Sequence, residues 1–145
     1  MSIVSGTNES FWAWLAGFVD GEGYFILRKI KNRQHYKTGF AWAPRLIIAN
    51  NDRHTLEVIL EKVGRGSLHS IRHGCWQVHF TSGQLREFIL PYIIPHLITK
   101  HDEATLLLKA CTILGNRTRS STLTEIELSE LCEKMKVSRE RNLHG

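Results

Sequence analysis

The sequence predicts an α+β fold in which helices cover one face of a four-stranded antiparallel sheet. Two observations carry this prediction. Apolar residues recur at helical spacing in several separate segments, and two pairs of β-rich runs alternate with period two, each pair joined by a short turn. The resulting order, α-β-β-α-β-β-α and then more helix, puts strands and helices in separate layers. No internal repeat is present beyond that single doubling.

Each element has its own signal. From Asn8 to Asp20 the residues Phe11, Trp12, Trp14, Leu15, Phe18 and Val19 fall three and four apart, with Asn8 or Ser10 available as N-cap. "YFILRKIKNRQHY" and "FAWAPRLIIAN" are two strands around the turn "KTG". In the first, Phe25 and Leu27 share the core face while Arg28, Ile30, Asn32 and Gln34 share the other. In the second, Phe40, Trp42, Leu46 and Ile48 oppose Ala41, Ala43, Arg45 and Ile47. "NDRHTLEVILEKVG" opens on Asn51 or Asp52 as cap, carries Leu56, Ile59, Leu60 and Val63, and stops at Gly64. A second hairpin turns at His73 and Gly74, with Trp76, Val78 and Phe80 on one face and Cys75, Gln77 and His79 on the other. "SGQLREFILPYI" and "KHDEATLLLKACTIL" read as further helices. Thr124 and Glu127 form a capping box ahead of a last amphipathic helix with Ile126, Leu128, Leu131 and Met135 inward.

The chain of 145 residues, 42% hydrophobic with four Trp and six Phe, suffices for one domain with a real core. Its net charge of +5 favours a polyanionic partner. Three widely spaced cysteines argue against a disulfide framework and for a reducing compartment. The N-terminus has neither a secretory nor a transit pattern, and "FILPYIIPHLI" is too short and too broken by proline to cross a bilayer, so neither secretion nor a membrane location is expected. The open sheet face presents Arg28, Asn32, Gln34, Arg45, His69, Arg72 and Gln77, which can bond base edges and phosphates in a major groove. Open antiparallel faces are ordinarily polar, so alternation alone leaves a plain solvated face as the other reading. His69, His73, Cys75 and His79 lack the paired spacing of a zinc site.

The first helix contains a conflict. It ends in "WLAGFVDGEG", placing Asp20 and Glu22 at the end where unsatisfied carbonyls are already negative, a cost of roughly 0.3–1 kcal/mol each when exposed. Ala16, Gly17 and Gly21 remove bulk, and an interior Gly costs about 0.8–1 kcal/mol relative to Ala. Small residues let a second helix approach closely. Two such helices side by side would bring their negative ends together, which calls for divalent cations between them, and hard Mg²⁺ suits an oxygen-rich site. A plain C-cap and turn at Gly21 and Gly23 accounts for each residue singly but not for the combination.

Leu15-Ala16-Gly17-Phe18-Val19-Asp20-Gly21-Glu22-Gly23 resembles the motif of the LAGLIDADG homing endonucleases. "LIIANND" with "LEVI" and "GRGS", and "LITKHDEATLLLK", are similar to the family's second strand with its following helix and to a later helix; the similarity covers about Ser10 to Leu114. The resemblance implies a core domain over residues 1–115, with 116–145 a C-terminal loop and helix packed on it. It implies an intron-encoded endonuclease that makes a metal-dependent staggered break in a long pseudo-palindromic double-stranded DNA. One motif copy implies a homodimer, carrying twice +5, or +10, with Trp14, Ala16, Gly17 and Gly21 at the interface.

By the same resemblance Glu22 holds the divalent cation, Mg²⁺ or another such as Mn²⁺, Lys100 stabilises charge on the phosphate, and Asn50 contacts the metal or its water. Asp20 is structural, and His54 lies near a position that is basic in some relatives. The sequence departs from the common pattern in the second acid being Glu, in the Gly before it, and in Asn rather than Gln at the strand end. A maturase that binds intron RNA, or an inactive DNA-binding module, is the alternative on the same scaffold. The expected location is a chloroplast or mitochondrion if the gene is organellar, otherwise a prokaryotic cytoplasm.

Overall fold

The computed structural model describes residues 8–31, 40–116 and 122–144. Helix α1 spans Glu9–Glu22 and opens on Asn8, whose Oδ1 accepts from the Phe11 amide at 3.0 Å. Of the two candidate caps, the chain uses Asn8. The strands β1 (Gly23–Lys31) and β2 (Phe40–Asn50) pair antiparallel from Gly23↔Ile48 to Lys31↔Phe40. The predicted "KTG" turn, together with Asn32 and Gln34, lies outside the described residues. Helix α2 (Arg53–Val63) is capped by Asp52, which accepts from the His54 amide and the Thr55 hydroxyl, and it ends at Gly64 with φ of 80°. Strands β3 (Ser67–Arg72) and β4 (Cys75–Phe80) form the second hairpin, and the sheet order is β1-β2-β4-β3.

The alternation read from the sequence fixes which side each residue takes. Phe25 and Leu27, Trp42, Leu46 and Ile48, and Val78 and Phe80 point inward, where they meet Trp12, Leu15 and Val19 of α1 and Leu56, Ile59 and Val63 of α2. Arg72 reaches the outer face through an irregularity. The register slips between Ser70 and Arg72, so Arg72 lies opposite Cys75 rather than on the core side that strict alternation from Leu68 would give it. Pro44 sits in β2 before the pairing with β4 begins at Leu46, so the amide it lacks leaves no gap in that ladder.

Three expectations about the second half are corrected. "SGQLREFILPYI" is not one helix: it runs as α3 (Ser82–Gln84), a π-helical turn (Leu85–Ile89), α4 (Leu90–Ile93) and a 3-10 turn (Ile94–His96). The ring of Pro91 would strike the carbonyl four residues earlier in a regular helix, and the widened turn before it relieves that clash. Thr124 is not a cap, because α6 (Thr122–His144) has already begun; a box-like contact appears instead at Thr81, whose amide donates to Gln84 Oε1 at 2.9 Å. Ile126 is exposed, since Leu128, Leu131 and Met135 at spacings of three and four define the buried stripe without it.

Helix α5 (His101–Asn116) packs on α6, and α6 lies along β1. Its Cys132 thiol donates to Leu27 O at 3.4 Å and Arg139 Nη2 donates to Phe25 O at 2.7 Å, while Glu125 accepts from Trp42 Nε1 at 2.9 Å. The carbonyls of Phe25 and Leu27 in β1 are thereby satisfied.

Candidate active site

The end of α1 meets the segment 98–100 that leads into α5. Asp20 Oδ2 accepts from the amides of Ile98 at 2.8 Å and Thr99 at 3.3 Å, and Oδ1 accepts from the Lys100 amide at 2.9 Å. A carboxylate that is misplaced for α1 is therefore well placed for α5, whose amino-terminal end is positive. Lys100 completes the exchange: its Nζ donates to Val19 O at 3.1 Å and Asp20 O at 2.7 Å, the terminal carbonyls of α1. Burial pushes the Lys100 ammonium below its ordinary value of 10.5, against the opposing pull of Asp20, Glu103 and Glu22.

Glu22 is the last residue of α1, two positions on, and its exposed carboxylate makes no hydrogen bond or ion pair among the described residues. Asn50 ends β2 at the same margin of the sheet, because Gly23 pairs with Ile48. The Asn50 Oδ1 accepts from the Asp52 amide at 2.7 Å, which leaves its amide nitrogen and one lone pair of that oxygen to act. His54 is exposed in the first turn of α2.

The outer stripe of α1 is made of Ala13, Trp14, Gly17 and Gly21, all exposed, and a Cβ added at Gly17 or Gly21 would meet nothing within 4 Å. Ala16 does not belong to it. It is fully buried in the protomer with Trp12 and Val19, four residues before it and three after, and cannot meet a second chain. Ala13 takes its place, one turn before Gly17, a signal already present in the spacing.

On the open sheet face Arg28, Arg45, His69, Arg72 and Gln77 are brought together, while Asn32 and Gln34 lie outside the described residues. Two further residues join them. His79 lies against His69 with ring centroids 4.5 Å apart and the rings tilted by 47°, and it bonds Gln77 Oε1 at 2.9 Å, while Ser67 bonds His69 at 2.8 Å. Burial, then His69 and Arg45, hold His79 below its ordinary 6.5, so it favours the neutral imidazole. A depression of about 90 Å³ opens among Arg28, Ala43, Arg45, Ile47 and His79.

Residues 15–112, more than half of the chain, match the model of the LAGLIDADG endonuclease family. The chain belongs to the LAGLIDADG endonuclease family. It is 29% identical over 119 residues to the DNA endonuclease I-CvuI of Chlorella vulgaris, an alignment covering 81% of this chain and 73% of that one. The crystal structure of I-CvuI with the I-CreI target, its DNA not cleaved in the presence of Mg, superposes with a TM-score of 0.80 at 22% identity, covering 90% of this chain and 82% of that one. I-SmaMI bound to cleaved DNA gives a TM-score of 0.75 at 27% identity, covering 86% of this chain and 42% of that longer one.

In this LAGLIDADG endonuclease the donor set suits a hard cation. Among the described residues Glu22 is an exposed carboxylate with no hydrogen-bond or ion-pair partner, and no cluster of three or more His, Cys, Asp or Glu able to hold a metal occurs. Mg²⁺ commonly takes one or two carboxylates and completes its shell with water and substrate phosphate, and an exposed carboxylate such as Glu22 suits that requirement. Among the described residues no helix of this endonuclease is long and apolar enough to cross a membrane.

Proposed function

We propose that the chain is an intron-encoded, site-specific endodeoxyribonuclease, acting as a homodimer on a long pseudo-palindromic double-stranded DNA and making a metal-dependent staggered break. The observation that carries this reading is the pairing of an exposed Glu22 carboxylate, without a hydrogen-bond or ion-pair partner among the described residues, with an exposed helix stripe of Ala13, Gly17 and Gly21. The DNA-bound structures of I-CvuI and I-SmaMI support the choice of substrate.

Glu22 would hold the cation, with Mg²⁺ or Mn²⁺ as candidates. A divalent ion bound there supplies Lewis-acid stabilisation of the phosphate and acidification of water. The remaining work falls to the chain. Lys100 has two of its three ammonium protons committed to Val19 O and Asp20 O, leaving one to donate to a phosphate oxygen as charge builds there. Asn50, whose oxygen accepts from the Asp52 amide and keeps a second lone pair, would contact the metal or its water, or donate through Nδ2 to a phosphate oxygen. Arg28, Arg45, His69, Arg72 and Gln77 would meet bases and phosphates, with Asn32 and Gln34 as further candidates; Trp14, Ala13, Gly17 and Gly21 would form the subunit contact. Ala16 is withdrawn from that contact.

The test is a duplex spanning the joined exons that flank the chain's own reading frame, incubated with protein and Mg²⁺. Staggered cutting of both strands is expected, lost in Glu22→Gln and on chelation while binding persists. Wild-type protein that binds the duplex without cutting it would leave only a DNA-binding module; preferential binding to intron RNA would favour the maturase.

A further inference from the structure

We infer that Asn142, backed by Glu103 and Arg139, is a positioning residue for Lys100, so that the carboxy-terminal helix sets the lysine from the side opposite α1. The inference rests on the reading of Lys100 as part of the cleavage site.

The segment 98–100 has no regular secondary structure of its own to hold it. It is gripped from two directions. Asp20 takes its three amides, as described, and on the other side Asn142 Nδ2 donates to Thr99 O at 2.8 Å. The same nitrogen lies 3.4 Å from Glu103 Oε1, and the second oxygen of that buried carboxylate is 3.6 Å from Arg139 Nε. Arg139 in turn donates to Phe25 O in β1. A continuous chain of polar contacts thus runs from the sheet edge through α6 to the peptide beside Lys100.

The chemistry of the donor matters. Glu103 stands one helical turn beyond Lys100 and its charge is felt there, together with those of Asp20 and Glu22. Asn142 ties down Thr99 without adding charge to this group, and an Asp in its place would lose the donor and add a negative charge beside Glu103. General docking of α6 does not need Asn142, since Cys132 on Leu27 O attaches the helix to β1 and Glu125 on Trp42 attaches it to β2. Positioning and docking can therefore be separated.

The experiment measures single-turnover cleavage of the joined-exon duplex, with protein in excess and Mg²⁺ present. Duplex affinity is measured in Ca²⁺, and thermal midpoints are recorded alongside. Asn142→Ala and Asn142→Asp are expected to slow the cleavage step by roughly ten- to a hundred-fold, Asp at least as much as Ala, with affinity largely unchanged. Asn142→Gln, which keeps the donor, should recover most of the rate. Cys132→Ala should lower the midpoint without slowing cleavage. An Asn142→Asp protein that cuts at the wild-type rate overturns the inference, as does an equal slowing in Cys132→Ala, which would reduce the effect to helix docking. A wild type that never cuts defeats the endonuclease reading itself, and this inference with it.

Discussion

Asp20 and Glu22 are two acids two residues apart in opposite surroundings: three backbone amides bond the first, and the second is exposed. Asp20 is satisfied by three backbone amides, so Asp20→Ala should lower stability by about 1–3 kcal/mol in urea titrations, the range for hydrogen bonds to a charged group. Glu22→Gln should stay within about 0.5 kcal/mol, as for a surface position without partners. Glu103 offers a pH signature. Burial raises its carboxyl above the ordinary 4.5, against Arg139 and Lys100, so the folded chain holds that proton longer than the unfolded one. Its contribution is present below 4.5 and is lost as pH rises through the raised folded value; Glu103→Gln should flatten the pH dependence of stability over that window. The sequence reading separated the two acids, but the partners of Asp20 lie about 80 residues away in an irregular segment that no periodicity marks.

At the scale of elements, the same stripe that is free of neighbours in α1 makes Gly17 the site to probe assembly. Gly17→Leu should stabilise the isolated protomer by roughly 0.5–1 kcal/mol through helix propensity, while sedimentation shows the dimer lost and cleavage lost with it. Gly66 behaves in the opposite way. Its φ is +110°, and a Cβ would come within 2.6 Å of the Phe80 ring and 2.8 Å of Leu60, so Gly66→Ala should destabilise by about 1–3 kcal/mol by the same titration. Strong periodicities were readable in advance: α1, α2, both hairpins and the inward residues of β1, β2 and β4. Features set by tertiary fit were not. Ala16 is small because the core is tight around it, not because a partner approaches, and composition alone does not distinguish those two reasons for a short side chain.

At the scale of the whole molecule, the proposed homodimer would carry twice +5, or +10, and a basic face directed at DNA would make affinity fall steeply with salt. Arg45→Ala should reduce the slope of log affinity against log salt by about 2, one for each copy, measured by titrating the joined-exon duplex at several salt concentrations. The side chains that α6 lays against Phe25 O and Leu27 O have an effect beyond the protomer. An uncovered outer strand is a template on which another chain can add a strand without limit, and along β1 α6 occupies two of the carbonyls, Phe25 O and Leu27 O. The opposite margin, β3, is six residues long, interrupted by its bulge and ends in Arg72, a poor seat for strand addition. With sheet growth discouraged at both margins, the proposed pairing through α1 is the contact left for self-association, one that would close after two copies instead of propagating into a fibre.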